Sequence, residues 1–417
     1  MEMIKSKIKL EITLFSTLLM LLALLVSCEK PLPEIGLKSG MWRGEIIAQE
    51  NKIPFNFEVK KNNGSYNIDL INGGEKLDID AVDILGDSLF FNMHIFDISI
   101  KAKIYKDSLV GYYKKNYAKN YVLPFKATFG KNGRFDEINS SDKFNGTWET
   151  VFKGTEGQET DAIGIFKVED KVLKGTFLTK TGDYRFLDGY TVKDTMYLFT
   201  FDGNHIYRFR AFMENDTLIK GEYWSGKTGY KTFVSKKNDA AELPDPNTLT
   251  YLKDGFDKIE FEFPDLEGKL TSLEDERYKD KIIILQILGT WCPNCMDETR
   301  FLSDWYKKNQ SAGVEIIGLA YEIKDDFDYA KNRVLTMKEK MNVPYDFLIA
   351  GTSTTESASE SLPMLNKVIS FPTSIIIDKK GKVRRIHTGF SGPATGVYYE
   401  EFVEDFNQFM KELINES

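Results

Sequence analysis

The stretch IIILQILGTWCPNC, residues 282–295, constrains this chain more than any other. Its first seven residues are apolar except Gln286, which suits a central strand covered on both faces. A helical pattern follows at once, with Pro293 at the first helical position, where a missing N–H costs nothing. Cys292 and Cys295 therefore sit where a buried strand hands over to a helix. The unpaired amides and positive end of that helix favour a thiolate at Cys292 and make it the nucleophile. Cys295, one turn deeper, is placed to attack the mixed disulfide that results.

The third cysteine reads differently. Lys5, Lys7 and Lys9 precede an apolar run over residues 12–26, short for a membrane span and right for the hydrophobic region of a signal peptide. It ends in Leu25-Val26-Ser27-Cys28, which resembles a bacterial lipobox. Residues 1–27 are then a lipoprotein signal peptide, Cys28 the lipidated first residue of the mature chain, and residues 28–39 a tether. Such a protein belongs to the cell envelope, membrane-anchored and periplasm-facing. Exported thiols tend toward disulfides, and with Cys28 acylated only Cys292 and Cys295 remain to pair. A bridge across two residues closes too small a loop to stabilise the fold much, so redox exchange explains the pair better than stapling. Zinc would need two more soft ligands, and His387 is the one histidine in this part of the chain; neither a metal nor a cofactor is expected. The net charge of -8, with no long basic run, argues against a nucleic-acid partner.

A length of 417 residues exceeds one core and implies several domains. Residues 40–234 form short runs rich in Ile, Val, Phe, Tyr and Thr between turn signals such as Asn62-Asn63-Gly64 and Asp202-Gly203-Asn204, which predicts an all-β region. It repeats internally: GMWRGEI at 40–46 aligns with NGTWETV at 145–151, IPFNFEV at 53–59 with AIGIFKV at 162–168, and Gly111 with Gly221. Tandem β-meanders, about 40–135 and 144–234, would close as two small barrels or pack as one sandwich. Trp42 and Trp148 are similar to the G-x-W opening of lipocalin-like barrels. His94 and His205 stand alone among apolar neighbours and read as packing or surface residues. Residues 235–255, charged and proline-bearing, read as a linker, and 256–417 as an α/β domain of alternating strands and helices. The Ser/Thr-rich segment 352–361 is predicted to be a mobile loop.

Three ordered segments, FEFPDLEGKLTSL (261–273), IIILQILGTWCPNC and SFPTSIIIDKKGKV (370–383), resemble the thioredoxin-like proteins of the TlpA/ResA group over about residues 256–415. The resemblance implies a thioredoxin-like fold and a membrane-tethered thiol-disulfide oxidoreductase that reduces partner proteins' disulfides and draws on a membrane thiol donor. It makes Pro372 a cis-proline beside the disulfide, presenting the backbone of Phe371 to an extended substrate, and places Trp291 on the rim. It also puts a helix carboxylate, Glu298, near the cysteines. Spacing agrees, since Cys295, Glu298, Leu302 and Trp305 share one face, where burial would raise the carboxyl's pKa and let it shuttle a proton. Gln286 departs from the pattern, standing where thioredoxin has a buried aspartate. Two other readings stay open: a peroxiredoxin-like enzyme of the AhpC/TSA type, and a β-rich binding module with an accessory thioredoxin domain.

Overall fold

Along the strand Gly40–Ala48 every second side chain from Trp42 onward is buried, and comparable alternation recurs as far as the strand Val122–Phe129. Period-two burial gives each strand one face for an interior. In the computed structural model, which describes residues 36–136 and 138–416, eight such strands pair antiparallel in chain order and the last returns to the first, Trp42 opposite Phe129. Closure removes both sheet edges. The lipobox and Cys28 lie outside the described residues.

A second ring follows between Gly146–Gly154 and Gly229–Lys237. These two strands pair with each other, Glu159–Glu169 pairs with Val172–Thr179, and the intervening neighbours complete the circle, with Gly182–Asp183 as a short extra strand. Of the two arrangements the repeat allowed, the chain adopts tandem barrels. The repeat is visible in detail. Trp42 and Trp148 are both fully buried, and each indole N–H donates over 2.9 Å to the carbonyl four residues earlier, of Lys38 and Phe144. Gly40 and Gly146 precede them at φ of 120° and 116°, where a side chain is strained. Phe201 of the second barrel joins the two, its ring 4.4 Å from that of Phe55 and 5.8 Å from that of Tyr113.

The remaining strands form one mixed sheet. The fully buried strand Ile282–Leu288 is central, parallel to Val314–Glu322, which is parallel to Asp346–Thr352; on its other side lie the antiparallel strands Thr373–Ile377 and Val383–Thr388. Helices Pro293–Asn309, Phe327–Lys340 and Val397–Asn415 pack on it, the last through Phe406, Met410 and Leu413. Phe263–Pro264 and Leu270–Thr271 make a small hairpin.

Residues 238–262 hold no strand or helix beyond a single bridge between Leu252 and Leu365, yet they are tied to both sides. Ala241 packs with Ile163 and Leu178 of the second barrel, and Thr250 accepts from Thr388 at 2.9 Å. From Leu37 onward the chain is one compact unit. Segment 352–361 differs from the mobile loop expected. Thr354 caps a helix, Thr355–Ser361, by accepting the Ser357 N–H, and Ala358 is fully buried beneath it. Its cap is one the sequence carries; the apolar floor is not visible locally. Among the described residues no helix is long and apolar enough to cross a membrane.

Candidate active site

The helix Pro293–Asn309 begins at Cys292, whose extended backbone makes it the N-cap and whose Sγ accepts the Cys295 N–H at 3.3 Å. One of the amides that a helix start leaves unpaired is thereby directed at sulfur. Across from it the Phe371–Pro372 peptide bond is cis, and the Phe371 carbonyl accepts from the Cys292 thiol at 3.5 Å. Both cysteines are free thiols, Cys292 7% exposed and Cys295 fully buried. Burial pushes the Cys295 thiol well above its ordinary range, and the hydrogen bond and charge of Cys292, together with the charge of Glu298, add to that. One sulfur is reachable and the other sheltered, the asymmetry that an attacking and a resolving thiol require.

Trp291 stands beside them. Its indole N–H donates to the Tyr321 carbonyl at 2.9 Å and its ring meets that of Phe371 edge-on at 5.5 Å. Gly289 makes this possible, since a Cβ there would lie 2.1 Å from the Trp291 Nε1.

Glu298 lies one helical turn below Cys295 and is 1% exposed. Its two oxygens accept from Ser374 Oγ at 2.7 Å and Gln286 Nε2 at 2.8 Å, residues that face each other across the central strand pair. Gln286 in turn accepts from the Tyr345 hydroxyl at 2.9 Å. Burial raises the Glu298 carboxyl to about 7, although both hydrogen bonds favour its ionised form. Its pKa is therefore higher in the folded chain than in the unfolded chain. Below the ordinary value the group is neutral in both states, so its contribution to stability is complete there and is lost as pH rises through about 7. Between about pH 5 and about pH 8, the unfolding free energy of the wild type is expected to fall by about 3 kcal/mol more than that of Glu298→Gln. Urea titrations at the two pH values check this, and parallel pH profiles would remove the buried carboxyl from the account.

Residues 257–386 match the AhpC/TSA family. This C-terminal part is a thioredoxin-like domain. Relatives named thiol-disulfide oxidoreductase ResA are 37% identical over 124 residues in Bacillus thuringiensis, covering 30% of this chain and 62% of the relative, and 25% identical over 160 residues in Bacillus subtilis, covering 38% and 77%. The chain thus spans less than two thirds of the first of these. A thioredoxin-family thiol:disulfide interchange protein from Chlorobium tepidum superposes with a TM-score of 0.29 at 21% identity, covering 39% of this chain and 100% of that one.

The structure brings Cys292, Cys295, Glu298, Trp291, Phe371 and Pro372 together, and it adds residues that sequence reasoning missed. In the thioredoxin-like domain, Glu322 accepts the Thr290 N–H and hydroxyl, both at 2.8 Å, just ahead of Trp291, and burial raises its carboxyl to about 7. The others come from the barrels and from the helix that begins at Cys292. Arg185, 1% exposed, donates to the Pro293 carbonyl at 2.9 Å and pairs with Asp297, with Glu75 at 2.6 Å and with Asp202 at 3.4 Å. Arg300 completes the cluster, 2.8 Å from Glu75 and 3.2 Å from Asp297. Burial works against the Arg185 charge, but the carboxylates Asp297, Glu75, Asp202 and Asp183 together hold its pKa above the usual range. Asn204 donates to the Trp291 carbonyl at 2.7 Å and accepts from Lys115 at 2.6 Å. His205, read from the sequence as a packing or surface residue, is hydrogen-bonded through its ring to Asp202 at 2.9 Å and lines a cleft that Cys292 also lines. Its role could not be seen locally, because its neighbours on that cleft come from another part of the chain.

Proposed function

We propose that this protein is an exported, lipid-anchored thiol-disulfide oxidoreductase that reduces disulfides of partner proteins. The observation that carries the reading is the pairing of the Cys295 N–H with the Cys292 sulfur at a helix start beside the Phe371 carbonyl. The Cys292 thiolate attacks one sulfur of the substrate disulfide, forming a mixed disulfide and releasing the other sulfur as a thiolate. Cys295 then loses its proton and attacks the Cys292 sulfur. The second substrate sulfur leaves, and a Cys292–Cys295 disulfide remains, so two electrons have passed to the substrate. The raised Cys295 thiol needs a nearby base, and a carboxylate that titrates at about 7 serves at neutral pH. Trp291, Phe371 and Pro372 form the surface on which the substrate lies. Lipidation at Cys28 would hold the site in the cell envelope, where a membrane thiol donor restores the dithiol. The AhpC/TSA match supports a second reading, peroxide reduction at Cys292; the similarity to proteins named ResA and the C-x-x-C spacing favour disulfide exchange.

Pre-reduced full-length protein mixed with two unstructured peptides joined by one disulfide tests this. The expected result is separation of the two peptides and loss of two hydrogens from the fragment of the protein that contains Cys292 and Cys295. Two cysteines that stay alkylatable in an excess of the joined peptides would sink the reading.

A further inference from the structure

The geometry points to the mouth of the second barrel as one wall of the substrate site, and to a disulfide carried on an extended, unfolded polypeptide segment as what that site admits. This rests on the oxidoreductase reading above and deepens it. The first observation is that one side of the dithiol is closed by the protein itself. The turn that contains Gly182–Asp183 lies on the loop between the cysteines: Asn294 donates to the Asp183 carbonyl at 3.1 Å, and Arg185 holds the Pro293 carbonyl. Ser370, two residues before the cis-proline, donates to the Thr181 carbonyl at 2.8 Å. The fit leaves no slack, since a Cβ at Gly182 would come 2.4 Å from Asn294 Nδ2 and one at Gly389 2.8 Å from the Thr181 backbone. A flat surface on which a folded partner could sit against both cysteines is therefore absent from this side.

The approach that remains is a cleft of about 920 Å³ that reaches Cys292 between Trp291 on one wall and Tyr184, His205, Tyr207 and Tyr223 on the other. These barrel residues share one end of their strands: Tyr207 near the start of Ile206–Asn215, Tyr223 near the end of Leu218–Ser225, Tyr184 just before Leu187–Val192. Below them the barrel is filled by Phe152, Phe177, Phe209 and Phe233, so the tyrosines form a floor and rim with no open interior beneath.

Size decides between occupants. A cube of this volume is about 10 Å on edge, close to the thickness of one layer of sheet, whereas a folded domain of about 100 residues has a radius of gyration of about 13 Å. A cleft on this scale takes a single strand or loop, not the face of a whole domain. The chemistry fits the same occupant. Tyrosine rings accept varied side chains at small entropic cost.

Single-turnover oxidation of the pre-reduced full chain, followed by rapid alkylation and mass spectrometry, tests the inference with three disulfides: hydroxyethyl disulfide, an unstructured peptide with a cysteine-linked disulfide, and a stably folded domain that displays a disulfide on its surface. The second-order rate constant for the peptide is expected to exceed that for the folded domain by about 100-fold or more. In Tyr207→Ala and Tyr184→Ala, the ratio of the peptide rate to the hydroxyethyl disulfide rate should fall about tenfold. Equal wild-type rates on peptide and folded domain overturn the inference without any variant, as does an unchanged ratio in both tyrosine variants. If hydroxyethyl disulfide fails to oxidise the wild-type dithiol, the oxidoreductase reading itself falls.

Discussion

Cys292→Ser is expected to abolish disulfide reduction, by about a thousandfold or more, whereas Cys295→Ser should keep the attack and stall afterwards as a covalent mixed disulfide. The difference follows from position. Cys292 is the N-cap of the helix, its sulfur receives a helix amide, and it keeps 7% of its surface open to the cleft. Serine at that place accepts the same hydrogen bond and caps a helix well, so the loss would be chemical and the fold retained. Cys295 has no exposed surface, and burial holds its thiol in the protonated form until Cys292 has reacted and a base has taken its proton. Among the described residues no other thiol is left to release the substrate. Non-reducing electrophoresis and intact-mass measurement read the outcome directly. Adducts on Cys292→Ser and none on Cys295→Ser would reverse the two roles.

Arg185→Met should lower the unfolding free energy by about 3–5 kcal/mol, the range for a buried ion-pair partner removed while its carboxylates stay behind. Methionine fills much of the volume, so the effect isolates charge from packing. Glu75, Asp202 and Asp297 would each lose a neighbour at ion-pair distance, and Pro293 its carbonyl donor. Arg300 remains to offset part of the loss. The sign of the pH dependence is also set. Carboxyls deprived of a cation bind protons more tightly in the folded chain than in the unfolded one, so the penalty grows as pH rises and shrinks in acid. Urea unfolding at about pH 5.5 and about pH 8 measures both aspects. A loss below about 1 kcal/mol at both would mean that the cluster is not what holds the barrels to the helix of the cysteines.

This cluster changes how the β-rich half is understood. A binding module with an accessory redox domain and a redox domain with an accessory module both assume that the two parts work separately. Here the loop between the cysteines is hydrogen-bonded to Arg185 and Asp183, and the backbone of Trp291 to Asn204. The barrels are built into the surroundings of the dithiol.

Much of this was written in local pattern. Period-two alternation and turn residues announced strands; the Gly40 to Trp42 and Gly146 to Trp148 repeat announced two equivalent units. An apolar run followed by Cys-Pro-Asn-Cys announced the strand-to-helix corner, and three-and-four spacing put Glu298 on the buried face beneath Cys295. Each of these depends on residues within a few positions of one another, where backbone geometry alone dictates which side chains share a face. Arg185 meets Pro293 across 108 positions and Asn204 meets Trp291 across 87. No periodicity records such a meeting. It arises when two closed barrels and a mixed sheet, each satisfied in its own backbone hydrogen bonds, bury their remaining polar faces against one another. The partner of a buried charge is then chosen by docking, and the dithiol acquires its cleft only in the assembled chain.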